Sequence, residues 1–178
     1  MPATPARRPR RLTTLVARAL ALCGAPALLA AQPPAPPPPL DSALVAAFSG
    51  RWRCAGAFAN GRPIASDVAF TSELDGRWLL LRHDDRAPQR WRALGLWGAD
   101  TARTVRATLY DNTGGPPRTF VAPPWDGHTL RLEAPPAARR ERFVYEAPAR
   151  DSLAFAYEVS TDGVTWRLGD RLACRRAR

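Results

Sequence analysis

The feature that most constrains this chain is a change of rhythm at Gly50, after which short runs of alternating apolar and polar residues are separated by turn-forming dipeptides as far as Cys174. Ten such runs are read, at 51–58, 67–74, 77–84, 91–98, 104–111, 118–121, 129–133, 141–146, 153–160 and 166–174. A period of two places successive side chains on opposite faces, so each run is a half-buried strand rather than a helix. Asn60-Gly61, Asp75-Gly76, Gly114-Gly115, Asp126-Gly127 and Asp162-Gly163 stand between runs and tolerate the positive φ angles of tight turns. So many short antiparallel strands predict closure into a barrel, because closure removes unpaired edges that would otherwise recruit other chains. The expectation is an all-β antiparallel barrel of about ten strands, and no internal repeat points instead to a propeller.

Turn geometry predicts which side chains share a face. A two-residue turn at Asp75-Gly76 sets Ser72 opposite Leu79, Phe70 opposite Leu81 and Val68 opposite His83, which points His83 inward. The same rule at Asp162-Gly163 sets Val159 opposite Trp166, Tyr157 opposite Leu168 and Phe155 opposite Asp170. Leu172 and Cys174 then share the inner face with Asp170, while Arg167 and Arg171 point outward. A longer loop would shift this register by one residue and flip the faces.

Ahead of the strands the chain divides into three pieces. Residues 1–31 have a basic start, an apolar stretch over 12–22 and small residues at Ala30 and Ala31, the pattern of a secretory signal peptide that is removed on export. Lipid anchoring at Cys23 is the minor alternative, because bulky Leu22 occupies the preceding position where a small residue is expected. Residues 32–40 form a Pro-rich spacer, with six prolines among Gln32 to Pro39, which fixes backbone angles and removes amide donors. The domain proper is expected at 41–178, opening with a short helical turn capped by Asp41 or Ser42 that carries Leu44, Val45 and Phe48 as a plug or lid. After Ala31 no apolar run approaches the ~18 residues needed to cross a bilayer as a helix, so no stable membrane insertion is expected once the signal is removed.

The net charge of +10 suggests nucleic acid until its distribution is considered. Without the leader, 21 arginines face 16 acids, or +5, and between Phe48 and Cys174 there are 18 arginines against 15 acids, spread without a basic stripe. The chain has no lysine and one isoleucine, Ile64, a skew better explained by GC-rich coding than by phosphate contacts. No nucleic-acid partner is expected.

With Cys23 removed, the mature chain keeps Cys54 in the first strand and Cys174 in the last. Export makes a disulfide the default for the pair, and first and last strands are neighbours when an up-and-down barrel closes. Two cysteines without nearby ligands do not make a zinc centre, so no metal is expected.

Gly50-Arg51-Trp52 resembles the Gly-x-Trp signature of lipocalins and related calycin barrels, in which the tryptophan closes one end beneath an arginine of the last strand. Trp52-Arg53-Cys54-Ala55-Gly56, Asn60-Gly61-Arg62-Pro63-Ile64, Leu74-Asp75-Gly76-Arg77-Trp78, Tyr110-Asp111-Asn112 and the 168–174 segment are similar to an uncharacterised family of bacterial exported lipocalin-like proteins, over roughly residues 41–176. The resemblance implies a periplasmic or secreted barrel and brings no established activity. If Cys54 opposes Cys174, Trp52 opposes Arg176, which fits the tryptophan–arginine closure. The wider group includes a heme-binding branch with a histidine ligand on a strand. Neither His83 nor His128 sits in a recognisable counterpart of that motif, so no cofactor is expected.

His83-Asp84-Asp85 is the densest ionisable cluster. Adjacent strand residues face opposite ways, so His83 and Asp84 do not converge, and His83 is read as hydrogen-bonded at a rim. Asp111 is expected either to bond backbone amides in its turn or to place a carboxylate at a cavity mouth. Asp170 on the apolar face needs a partner, for which an arginine salt bridge is the first reading and a ligand anchor the second. No Gly-x-Ser-x-Gly elbow is present, and no catalytic residue is assigned. Large flat side chains abound, with Trp52, Trp78, Trp91, Trp97, Trp125 and Trp166 expected mostly in barrel packing. Phe70, Leu81, His83, Asp111, Phe143, Tyr145, Phe155 and Tyr157 are the expected lining of an interior site, apolar with a few polar handles. The expected function is non-catalytic binding or carriage of a small apolar or amphipathic molecule. The alternatives are a barrel-lumen enzyme with His83 as general base and Tyr157 or Asp111 orienting substrate, and a structural envelope module with a filled core.

Overall fold

The computed structural model describes residues 35–177. The expected signal peptide, Cys23 and the start of the Pro-rich spacer lie outside the described residues. Within them one helix precedes ten strands: α1 (Ser42–Phe48), β1 (Gly50–Phe58), β2 (Pro63–Glu73), β3 (Trp78–Asp85), β4 (Arg92–Ala99), β5 (Val105–Asp111), β6 (Arg118–Ala122), β7 (Thr129–Glu133), β8 (Arg140–Ala149), β9 (Ser152–Ser160) and β10 (Arg167–Arg176). Each strand pairs antiparallel with its sequence neighbours, and β10 returns to β1 to close the barrel. The all-β barrel expected from the alternation is therefore the fold. No helix among the described residues is long and apolar enough to cross a membrane.

Closure sets Cys54 directly opposite Cys174 and Trp52 opposite Arg176. The two cysteines form a disulfide that spans 120 residues of chain. Beside it the Arg176 guanidinium lies 4.2 Å from the Trp52 ring centroid, a cation over an aromatic face. Its N–H groups donate to the carbonyls of Ser49, Ala47 and Arg150, the last at 2.8 Å. The Trp52 indole donates to the Phe48 carbonyl at 2.8 Å. The last carbonyls of a helix have no partner of their own. Here two barrel side chains supply those donors, which ties α1 to the seam.

At its other end α1 is capped by Asp41, whose carboxylate accepts from the amides of Ala43 and Leu44. The helix carries Leu44 and Phe48 into the barrel, both fully buried. Phe48 meets Phe70, Trp97, Trp125 and Tyr145 edge-on, with ring centroids 5.3 to 5.7 Å apart. This is favourable edge-to-face geometry, and it fills the barrel end from which β1 starts. The plug expected from Leu44 and Phe48 is thus in place.

The Asp75-Gly76 register holds, with Ser72, Phe70 and Val68 opposite Leu79, Leu81 and His83. Both turn residues have positive φ, 59° and 77°. The Asp162-Gly163 register does not hold. The connection is a six-residue loop, 161–166, in which the Asp162 carboxylate accepts from the amides of Val164 and Thr165, so Val159 lies opposite Arg167 rather than Trp166. A bulge between Leu168 and Asp170 then puts Asp170 opposite Tyr157 and Leu172 opposite Phe155. The bulge needs Gly169, where a Cβ would lie 2.7 Å from the Tyr157 ring. It restores the inward facing of Asp170, Leu172 and Cys174, and it leaves Leu168 exposed instead of on the apolar face.

The seam generates the first prediction. On the loop-entropy account, closing 120 residues contributes about 5 kcal/mol. Replacing Cys54 and Cys174 together by Ser is expected to lower the unfolding free energy by about that amount in denaturant titrations, and reduction of the parent protein should match the double variant.

Candidate functional site

The aromatic plug fills only half of the interior. Towards the opposite end lies an open cavity of about 860 Å³, walled by residues that include Phe58, Ile64, His83, Asp85, Trp91, Phe143, Phe155, Tyr157, Asp170 and Leu172. Its mouth is formed by the 86–91 loop between β3 and β4, with Pro88, Gln89 and Arg90, and the 112–117 loop between β5 and β6, with Thr113, Gly115 and Pro116. A cavity of this size holds a drug-sized molecule.

Every second residue of a strand contributes to this wall. On β3 the inward series runs Leu79, Leu81, His83, Asp85, from apolar at the plugged end to ionisable at the open end. His83 Nε2 lies 2.9 Å from Asp85 Oδ1, and both side chains are nearly excluded from solvent. The Asp85 carboxylate also accepts from the Ser66 hydroxyl at 2.7 Å. The His83 ring packs edge-on against Trp91 and Phe155, at 4.9 and 5.6 Å between centroids. Asp84 faces away from His83, as its adjacent position in the sequence requires, and the partner is Asp85. Residues i and i+2 share a face, so this pair could have been found from spacing alone.

A second ionic group stands closer to the mouth. Arg118 donates to Asp111 at 3.0 Å and to Glu141 at 2.8 Å, and the Tyr157 hydroxyl donates to the same Glu141 oxygen at 2.9 Å. Burial, then the hydrogen bond to Glu141, pushes the Tyr157 phenol up to about 12. Asp111 serves both purposes weighed for it, because it accepts from the Thr113 hydroxyl and amide in its turn while lining the cavity. The Thr113 hydroxyl is the main cause that holds its carboxyl below the usual range, aided by the Thr113 amide and Arg118 against the opposing effect of burial.

Asp170 differs from these groups. Among the described residues no arginine salt bridge holds it, contrary to the first expectation; its charged neighbours are His83 and Asp85. Burial raises its carboxyl to about 6, His83 opposes that rise, the Asp85 charge adds to it, and the Tyr157 amide opposes it. The bulge at Gly169 explains the absence of an arginine, since it aims Asp170 into the cavity while Arg167 and Arg171 stay on the outer face.

The expected lining residues divide between the two halves. His83, Asp111, Phe143, Phe155 and Tyr157 all line the open cavity. Leu81 and Tyr145 border a residual void of about 20 Å³ beneath it, too small for a ligand. Phe70 packs in the plug against Phe48 and Trp97. Tyr145 is fully enclosed, and burial, followed by the charge of Asp170, holds its phenol well above the ordinary value. Phe58, Ile64, Asp85, Trp91 and Leu172 also line the wall and lie outside the expected set, as does Asp170, for which a ligand anchor is the second reading of the sequence. His128 is exposed, on the strand-connecting loop beside β7. Among the described residues no three His, Cys, Asp or Glu side chains are grouped to hold a metal ion.

No family model matches this chain, and no curated protein matches it. A solved structure does. The crystal structure of Rv2717c from M. tuberculosis is similar with a TM-score of 0.55, at 19% identity, over 78% of this chain and 99% of that one. At that identity the likeness shows the fold alone.

The unusual carboxyl generates a pH prediction. A carboxyl raised in the folded state favours folding in its protonated form, so stability is full below the unfolded value near 3.8 and falls as pH rises to about 6. Asp170→Asn removes that loss. The variant is expected to be more stable than the parent by about 1–2 kcal/mol above pH ~6, a figure discounted for solvent in the cavity, with the difference vanishing towards pH ~4 in denaturant melts.

Proposed function

We propose that this chain is an exported carrier of the lipocalin-like kind, which holds a small apolar or amphipathic molecule in the open half of its barrel without chemical turnover. The observation that carries this reading is the cavity of about 860 Å³, in which Phe58, Ile64, Phe143, Phe155 and Leu172 supply apolar wall and a few polar groups converge. A packed envelope module would have no use for so large an unfilled volume, since interiors otherwise close to crystal density. The disulfide supports an oxidising compartment and, with the leader-like first 31 residues, a periplasmic or secreted location.

The test uses the neutral fluorescent probe N-phenyl-1-naphthylamine. It should bind saturably at one site per chain and quench Trp91 by energy transfer, and Ile64→Trp, which pushes an indole into the cavity, should weaken binding by about tenfold. Stoichiometry well above one, or equal binding by the variant, would count against an interior site. Native mass spectrometry of protein from its own host is the direct search for the physiological ligand.

The His83–Asp85 pair favours one second reading, a barrel-lumen enzyme in which Asp85 orients His83 as a general base. Tyr157 and Asp111 lie in the same cavity, where they could orient a substrate. If a substrate is found, His83→Ala should cost at least about 100-fold in kcat/KM and abolish the limb of the pH–rate profile that reports the base. Absence of turnover across hydrolase, isomerase and lyase substrate panels leaves the carrier.

A further inference from the structure

The inner part of the cavity has an imbalance of charge that its own residues do not resolve. His83 carries at most one positive charge and has two carboxylates near it, Asp85 at 2.9 Å and Asp170, which lines the same cavity from β10. Asp85 is already served by His83 and by the Ser66 hydroxyl. Among the described residues Asp170 has no such hydrogen-bonding side chain, only the Tyr157 backbone amide. The other ionisable groups around the cavity are committed elsewhere or stand at its mouth: Arg118 is held between Asp111 and Glu141, Tyr157 donates to Glu141, and Arg90 is exposed in the mouth loop. A desolvated carboxylate without a partner is costly, and an opposite charge brought beside it restores what burial removes.

Resting on the carrier reading above, the geometry points to a cationic amphiphile as the ligand class, an organic ammonium whose charged head sits between Asp170 and the His83–Asp85 pair while its hydrocarbon lies against Ile64, Phe143, Phe155 and Leu172. The apolar wall favours an organic cation over a bare metal ion, for which no group of three ligating side chains exists among the described residues. Phe143, Phe155 and Tyr157 line the same cavity, and the negative face of a ring favours a cation. An anionic amphiphile finds the opposite situation. The cation deepest in the cavity mouth, Arg118, already has two carboxylates, so a third would gain little and would approach Asp170. Near neutral pH Asp170 is ionised even though burial raises its carboxyl to about 6, so the site and a protonated amine are both charged there.

The experiment compares octylammonium, 1-octanol and octanoate, three ligands with one chain and different heads, by isothermal titration calorimetry on the full-length protein at about pH 7.5. Octylammonium is expected to bind at least about tenfold more tightly than octanol, with octanoate weakest. Asp170→Asn should reduce the amine to the affinity of octanol. A cooperative unfolding transition in denaturant reports that the variant is folded, and a second variant, Asp170→Glu, should keep the preference for the amine. Equal affinities for the three heads, tightest binding of octanoate, or an amine preference that survives Asp170→Asn would each overturn the ligand class while leaving the carrier reading intact. Failure of all three to bind would overturn both.

Discussion

The seam between β1 and β10 is the constraint on which the rest of the molecule depends. A sheet of ten strands has two unpaired edges unless its ends meet, and here they meet in one register, with Cys54 on Cys174 and Trp52 on Arg176. Because side chains alternate along paired strands, that register determines the facing of β1 from Trp52 to Phe58 and of β10 from Asp170 to Arg176, as far as the bulge at Gly169. It places Leu172 and Asp170 inside and Arg171 and Arg175 outside. Gly56 contributes at the same seam, since a Cβ there would collide with the Arg171 backbone carbonyl where the two strands approach. The covalent bond and the stacked guanidinium act on the same few residues, so the closure is held by chain connectivity and by side-chain packing together.

From the seam the interior divides. Arg176 and Trp52 hold the end of α1, and α1 in turn drives Phe48 between Phe70, Trp97, Trp125 and Tyr145. That end becomes a solid aromatic core. At the other end the connecting loops are longer and the inward residues become polar, as the β3 series from Leu79 to Asp85 shows. A barrel filled throughout could only be a scaffold, whereas a barrel filled from one end is a cup. The polar groups of the cup are arranged by depth, with the Arg118 network near the rim and the His83, Asp85 and Asp170 group against the wall. The rim network is internally satisfied, and the inner group is not, which is why the inner group carries the functional argument.

Legibility in the sequence followed the range of the interaction concerned. The β2–β3 register was readable because Asp75 and Gly76 make a two-residue turn whose geometry dictates the pairing. The β9–β10 register was not, because Asp162 gathers the amides of a longer loop and Gly169 inserts a bulge, and a dipeptide signal distinguishes neither. Among site residues, His83, Phe155 and Tyr157 could be placed on the inner face by parity, and Asp85 could have been by the same rule. Phe70 and Tyr145 have that parity too, yet they belong to the plug. Parity says which face a side chain occupies and is silent about depth along the barrel axis. Asp170 was placed inward, but its lack of an arginine depends on the outward facing of Arg167 and Arg171 relative to a bulge.

The sequence by itself determined the architecture: ten alternating runs, the turn residues between them and one cysteine near each end suffice for a closed antiparallel barrel clasped at its seam. Those are local or pairwise properties, and backbone sterics with period-two burial express them wherever the chain lies. Which half is hollow, and which cavity carboxylate has no side-chain hydrogen-bond partner among the described residues, were settled by long-range packing. Both depend on how far a seven-residue helix reaches into the barrel and on where one glycine bulge falls, distances set by the packing of segments far apart in the chain.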